Sequence, residues 1–329
     1  MPESPFLRRL LTVPSVLVGF GLLTALAPAL IPVATMVDLA RRTTAGRPAM
    51  ALRSLAFLWV YLLGELWALT TLAVTAPLPP RPRAELTYRL QDKWAGWNLV
   101  AMRRLFSVEF EVSGEAAVLP GPIVMLSRHA SIVDTLLPAH FVARPTGLRL
   151  RYVLKKELLV DPALDIAGNR LPNVFVDRTA RDLAERAAIE ALAASMGPGD
   201  GLLIYPECTR FSPEKLSRAQ RRSSGEHESA SIVAGLRRVL PPKPGGTLAI
   251  LDATDADVVV FAHRGLEGLA TLKEIWQGNL VGSRVEVVMW RIPHDQIPAT
   301  RPERTAWLYQ LWAEVDAWVA SGPAGGGPE

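Results

Sequence analysis

Leu10 to Val37 carries no charged side chain. A helix needs only about 20 apolar residues to cross a bilayer, so this run is long enough to do so. Arg8 and Arg9 precede it, and Pro14, Pro28 and Pro32 lie inside it, which predicts a kink or a break. A second apolar stretch, Ser54 to Leu78, is interrupted only by Glu65 and holds Trp59, Tyr61 and Trp67. The h-region of a secretory signal spans roughly 7–15 residues, so two such runs in succession read as a pair of membrane helices. Glu65 is expected to face the partner helix or the interface, because a lipid-facing charge in mid-bilayer is costly.

Arginines flank both runs: Arg8 and Arg9, then Arg41, Arg42, Arg47 and Arg53, then Arg81, Arg83 and Arg89. A simple crossing hairpin would put the middle group on the far side, which the positive-inside rule disfavours. A pair dipping into one leaflet would keep every arginine at one surface. The remainder of the chain is expected on the cytoplasmic side of the cell membrane.

Hydrophobic residues make up 49% of the 329 residues, in keeping with a membrane component. The formal net charge of +4 fits an anionic lipid surface or anionic substrates, and by itself does not argue for nucleic acid. The one cysteine, Cys208, rules out an intramolecular disulfide. With five scattered histidines, a zinc site is not expected either.

The proline-rich segment Pro77 to Pro82 separates these helices from the remainder of the chain. Residues 1–80 are read as membrane-associated helices and linker, 84–320 as one α/β domain, and 321–329 as a disordered Gly/Pro-rich tail. A helix is predicted over 84–106. Strands are predicted at 107–112, 123–126, 148–154, 174–176, 202–205, 247–251, 258–261 and 285–290, and helices at 132–142, 180–195, 229–239 and 302–319. Short apolar runs alternating with helical patterns predict a mixed central sheet flanked by helices.

Two blocks carry chemistry. His129-Ala-Ser-Ile-Val-Asp134 follows the apolar run Ile123–Leu126, and Tyr205-Pro-Glu-Cys-Thr-Arg210 follows Leu202–Ile204. A neutral imidazole can take a proton from a hydroxyl, and a carboxylate on its other ring nitrogen fixes the tautomer. On a regular helix five positions amount to about 500°, so the two side chains would diverge by about 140°. His129 is therefore expected just before a helix and Asp134 on its first turn.

These blocks, in this order, resemble the first and third motif blocks of the glycerolipid acyltransferase family, which acylates lysophosphatidic acid and its relatives. Asn173-Val-Phe-Val-Asp-Arg178 resembles the second block, and Val239-Leu-Pro-Pro-Lys-Pro-Gly-Gly246 the fourth. The resemblance covers about Phe106 to Phe261. It implies a fatty acyl transfer from acyl-CoA or acyl carrier protein to the free hydroxyl of lysophosphatidic acid, with no metal or bound cofactor needed. In that reading His129 is the base and Asp134 its orienting partner. Arg178, Glu207, Thr209, Arg210 and Lys243 form the headgroup site. Other lysophospholipid or glycolipid acceptors use the same machinery, and a catalytically weak lipid-binding protein is the reading from another class. The sequence departs from the family at Cys208, where the pattern has glycine. If that position requires positive φ, the substitution costs stability or activity.

Overall fold

A computed structural model describes residues 4–177, 183–223 and 228–322. The first apolar run forms one helix, α1 (Pro5–Ala45), which passes unbroken through all three prolines. Each proline removes a single amide from the ladder. In an apolar stretch the remaining backbone groups are satisfied only by continuing the helix. Gly46 ends it in the left-handed region at φ 61°, as a helix C-cap requires.

The second run forms α2 (Ala51–Val74), which has no side-chain cap of its own. Asp38 of α1 supplies one instead. Its carboxylate accepts the amides of Met50, Ala51 and Leu52 at 2.8, 2.8 and 2.9 Å. Glu65 is buried on the α2 face that carries Ala68 and Leu72, which pack with Leu90 of α3 (Pro80–Phe106) and with Ala163. It faces protein, as expected.

The helical pair is fastened to the rest of the chain at both of its ends. Near the start of α1, Arg8 makes a two-pronged contact with Asp165 (2.9 and 3.0 Å), and Arg9 adds 3.1 Å contacts to the same carboxylate. At the hairpin turn, Met50 is fully buried among Leu99, Met102 and Phe106, and Arg53 donates to the Leu105 carbonyl at 2.7 Å. The 33 residues from Arg8 to Arg41 span about 50 Å at 1.5 Å per residue. Helix α1 therefore lies along the α/β domain rather than projecting from it. Its outer surface stays apolar: Phe6, Leu10, Leu11, Leu22, Met36 and Leu39 are all exposed.

The domain is built on seven strands: β1 (Glu109–Ser113), β2 (Ile123–Ser127), β3 (Arg149–Lys155), β4 (Val174–Val176), β5 (Asp200–Ile204), β6 (Asp257–Arg264) and β7 (Arg284–Ile292). Their order is β1-β7-β6-β2-β5-β3-β4, and every neighbouring pair is parallel except β6 with β7. The predicted mixed sheet is thus observed. Strands β2 and β5 are buried at every position, as strands covered on both faces must be. One core lies on each side of the sheet. The first includes Val124, Leu202, Val258 and Trp312; the second includes Met125, Leu203, Val259 and Phe106.

Two predicted elements differ. Thr247–Leu251 belongs to a helix, Pro244–Leu251, rather than to a strand. A short apolar run buried on all sides shows no periodicity to separate the two, and Pro244 at the first helical turn decides for helix. The predicted helix 132–142 is broken into a 3-10 turn (Val133–Leu136) and a π-type turn (Ala139–Ala143) on either side of the Leu137–Pro138 step. The described part of the predicted 180–195 helix is Leu183–Ala194. Residues 323–329 of the expected tail lie outside the described residues.

Candidate active site

The two chemical blocks leave adjacent parallel strands at the same edge. In the β2–β5 register Leu126 pairs with Ile204, and His129 and Glu207 each come three positions later. Ligand sites in open α/β sheets form at this carboxyl edge of the strands.

His129 is nearly buried, and its Nδ1 lies 3.1 and 3.3 Å from the two oxygens of Asp134. A ring nitrogen facing a carboxylate carries the proton, so Nε2 is left as the basic nitrogen. Nε2 has no hydrogen-bond partner among the described residues.

The expected turn before Asp134 is present in tighter form. Asp134 sits in the 3-10 turn, and its Oδ2 accepts the amides of Ala130 (2.6 Å) and Ser131 (2.8 Å). Burial alone would raise the Asp134 carboxyl. The facing His129, together with His263, outweighs burial and holds it well below the ordinary carboxylate range. Asp134 is therefore an anion that accepts hydrogen bonds from its own loop while orienting the imidazole.

Block three holds block one by its backbone. The Glu207 carboxylate accepts the His129 amide at Oε1 and the Leu240 amide at Oε2, both at 2.9 Å. The Phe211 amide donates to the His129 carbonyl at 2.8 Å. Tyr205 places its ring 4.6 Å from the imidazole. Glu207 is fully enclosed, and burial pushes its carboxyl up to about 7 against the opposing pull of Arg128 and the two amides. In this structure Glu207 meets backbone, not an open headgroup site.

Thr209 and Arg210 lie at the half-exposed rim of the same turn. The Lys215 ammonium donates to Thr209 Oγ1 (3.0 Å) and to the Arg210 carbonyl (2.8 Å), and burial with the nearby Arg210 charge lowers its pKa. The Arg210 guanidinium has no hydrogen bond or ion pair to a described residue. Lys243 is exposed, and its amide donates to the Pro206 carbonyl at 2.8 Å, which brings the fourth block beside the third. Arg178 lies outside the described residues. Cys208 has φ 59°, so the position where the family pattern has glycine is left-handed in this chain.

Sequence reasoning missed the support beneath this pair. Arg128 is completely buried. It donates to the carbonyls of His263 (2.6 Å) and Arg238 (2.7 Å) and to Glu267 Oε1 (2.6 Å). His263, also fully buried on β6, returns a contact of 3.1 Å from Nε2 to the Arg128 carbonyl and lies 3.5 Å from Asp134 Oδ2. A charged residue directly after a buried strand was the available signal for Arg128. Nothing in the sequence marks His263 or Glu267. Among the described residues there is no cluster of His, Cys, Asp and Glu suited to holding a metal ion.

A His–Asp pair whose second ring nitrogen has no partner among the described residues thus stands at the carboxyl edge of a mixed sheet, an arrangement able to take a proton from a hydroxyl. A family model for the acyltransferase domain matches residues 109–262, the segment that carries His129, Asp134, Glu207 and Arg210. The chain is similar to the 1-acyl-sn-glycerol-3-phosphate acyltransferase of Pseudomonas aeruginosa, with 24% identity over 245 residues, 70% of this chain and 90% of that protein. Its fold is similar to the crystal structure of the 1-acyl-sn-glycerophosphate acyltransferase PlsC from Thermotoga maritima. The TM-score is 0.56 at 17% identity, over 83% of this chain and 97% of that one. The chain carries an acyltransferase domain and is an acyltransferase, similar to enzymes that acylate 1-acyl-sn-glycerol-3-phosphate.

Proposed function

We propose that this enzyme transfers a fatty acyl group from a thioester donor, acyl-CoA or acyl carrier protein, to the free hydroxyl of lysophosphatidic acid, giving phosphatidic acid. His129 Nε2 takes the hydroxyl proton as the oxygen attacks the thioester carbonyl. Asp134 stabilises the imidazolium that results, in the manner of the His–Asp half of a hydrolase triad. The tetrahedral intermediate collapses with loss of thiolate, which receives the proton from His129. Arg210, with Thr209, Lys243 and Arg178, is the reading for the acceptor phosphate. A guanidinium without a partner among the described residues, at a half-exposed rim, suits a phosphate monoester. Glu207 holds the His129 backbone in place.

The single observation that carries this reading is the commitment of His129 Nδ1 to a buried Asp134, with Nε2 left over. The attachment of α1 and its turn to the domain further favours insertion of the helical pair into one leaflet. In an upright crossing the turn would stand about 30 Å away across the hydrocarbon core, yet Met50 is buried in the domain. Such an enzyme works from the cytoplasmic face, with its mouth at the level of its lipid acceptor.

The test is acyl transfer by detergent-purified protein, using labelled acyl-CoA and acyl carrier protein thioesters and a panel of lysolipids, with His129→Ala as control. Phosphatidic acid made only by the parent supports the reading. A different acylated lipid replaces the acceptor. Free fatty acid alone, or no product dependent on His129, overturns acyl transfer to a lysolipid.

A further inference from the structure

Outside the helical pair, two exposed apolar side chains lie at the turn end of the pair, on the short helix Leu272–Gln277. Leu272 is 76% exposed and Trp276 is 40% exposed. A single exposed leucine on a soluble domain needs no explanation, but the setting of these two does.

Arg41, near the end of α1, stacks its guanidinium over the Trp276 ring at 4.6 Å and donates Nη2 to the Trp276 carbonyl at 2.7 Å. Pro48 of the hairpin turn lies against Gly278 so closely that a Cβ there would come within 2.5 Å of Cγ. The helix is thereby fixed to the end of α1 at which Met36 and Leu39 are exposed. Arg42, Arg47 and Lys273 are exposed around it. Its own N-terminus is closed by a capping box of Thr271 and Glu274, so the helix is formed in advance. On its inner side the preceding Leu269 is buried, and its carbonyl accepts Ser131 Oγ, within the catalytic loop, at 3.0 Å.

We propose that Leu272 and Trp276 form a membrane contact separate from α1 and α2, taking an anionic lipid surface. Leu272 enters the acyl region, Trp276 sits at headgroup level where an amphipathic ring is favoured, and Arg42, Arg47 and Lys273 meet the phosphates. The inference rests on the one-leaflet reading of the helical pair. Its consequence is that the loop carrying His129 is held at a set depth: the segment that touches lipid is bonded through Leu269 to Ser131. The apolar rim next to α1 and the surrounding cations both fit an anionic bilayer.

The experiment uses Cys208→Gly protein, which removes the only native thiol. Into it is placed Leu272→Cys, labelled with an environment-sensitive fluorophore and reconstituted in vesicles of phosphatidylcholine and phosphatidylglycerol containing a spin-labelled lipid. Leu22→Cys on the exposed face of α1 is the lipid reference, and Glu314→Cys on the exposed face of helix Arg301–Ala320 is the aqueous one. The expected result is a blue-shifted emission at position 272, severalfold brighter than at position 314, and quenched by the spin label as at position 22. A probe at 272 that behaves like the one at 314, while 22 is quenched, overturns the proposal and leaves the one-leaflet reading standing. A probe at 22 that is also unquenched overturns both.

Discussion

Cys208 is the sharpest place to test the physics of the site, because its backbone is left-handed at φ 59° in a residue that has a Cβ. For an L-residue this conformation costs about 1–2 kcal/mol through the clash of Cβ with the neighbouring carbonyl. Glycine removes that cost but loses about 0.5–1 kcal/mol of chain entropy on folding. The difference predicts that Cys208→Gly is stabilised by about 0.5–1 kcal/mol. For a domain of this size that raises the midpoint of thermal unfolding by about 1–4 °C. Cys208→Ala is the necessary control, since it removes the thiol and keeps the Cβ. It is expected to show no comparable gain. Thermal unfolding of the parent and both variants in one detergent measures the comparison. An alanine variant that gains as much as the glycine variant would show that the thiol, not φ, was the liability. A glycine variant with no gain would show that the turn from Tyr205 to Cys208, closed by a 2.9 Å backbone hydrogen bond, is relaxed. Both variants are expected to keep acyl transfer, because the proposed function assigns the proton transfer to His129 and no step to Cys208.

Three other perturbations probe the site and the attachment of α1. Asp134→Asn presents an amide where the imidazole and two loop amides need an acceptor, and transfer is expected to fall by about three orders of magnitude or more. Because the Asp134 carboxyl lies well below its ordinary range, its stabilising contribution is complete above about pH 4 and is lost only as pH falls through the folded value. The stability gap between parent and Asp134→Asn, read by thermal unfolding, should thus stay constant from roughly pH 6 to 9 and close in acid. Glu207→Gln can accept from only one of the two amides that Glu207 now serves. Its kcat is expected to drop on the order of tenfold with acceptor KM little changed; a rise in KM alone would place Glu207 on the substrate instead. Glu207 has a raised carboxyl, about 7, so the stability it lends is complete below about 4.5 and disappears as pH rises through 7; the glutamine variant should show a flatter stability profile between them. Asp165→Asn removes the anion held by Arg8 and Arg9, and faster proteolysis near the start of α1 is the expected reading, with the catalytic pair unaffected.

What could be read from the sequence was whatever is written in consecutive residues. His129 and Asp134 lie five positions apart and are linked by a local turn, so spacing alone was enough to exclude a regular helix between them. The mixed sheet was legible in short apolar runs, because strands buried on both faces show as continuous hydrophobic segments. Thr247–Leu251 failed by the same rule, since a buried helix of that length looks identical.

The parts that could not be read depend on contacts between distant residues and on the backbone. Glu207 resembles a substrate ligand by its position in a motif, yet its two oxygens serve the amides of His129 and Leu240, 78 and 33 residues away. An amide at position 129 is the same whatever the side chain, so no residue type announces the contact. The Arg8–Asp165 contact spans 157 residues and joins a segment read as membrane helix to one read as soluble domain. That contact, with Met50 buried at the turn, is what turns two membrane-length helices into a pair lying along the domain. Hydropathy measures how much apolar surface a helix has, not what its ends touch. In the proposed function, the depth at which His129 meets a lipid acceptor is therefore set by a few polar contacts at the ends of α1, and only the folded chain brings them together.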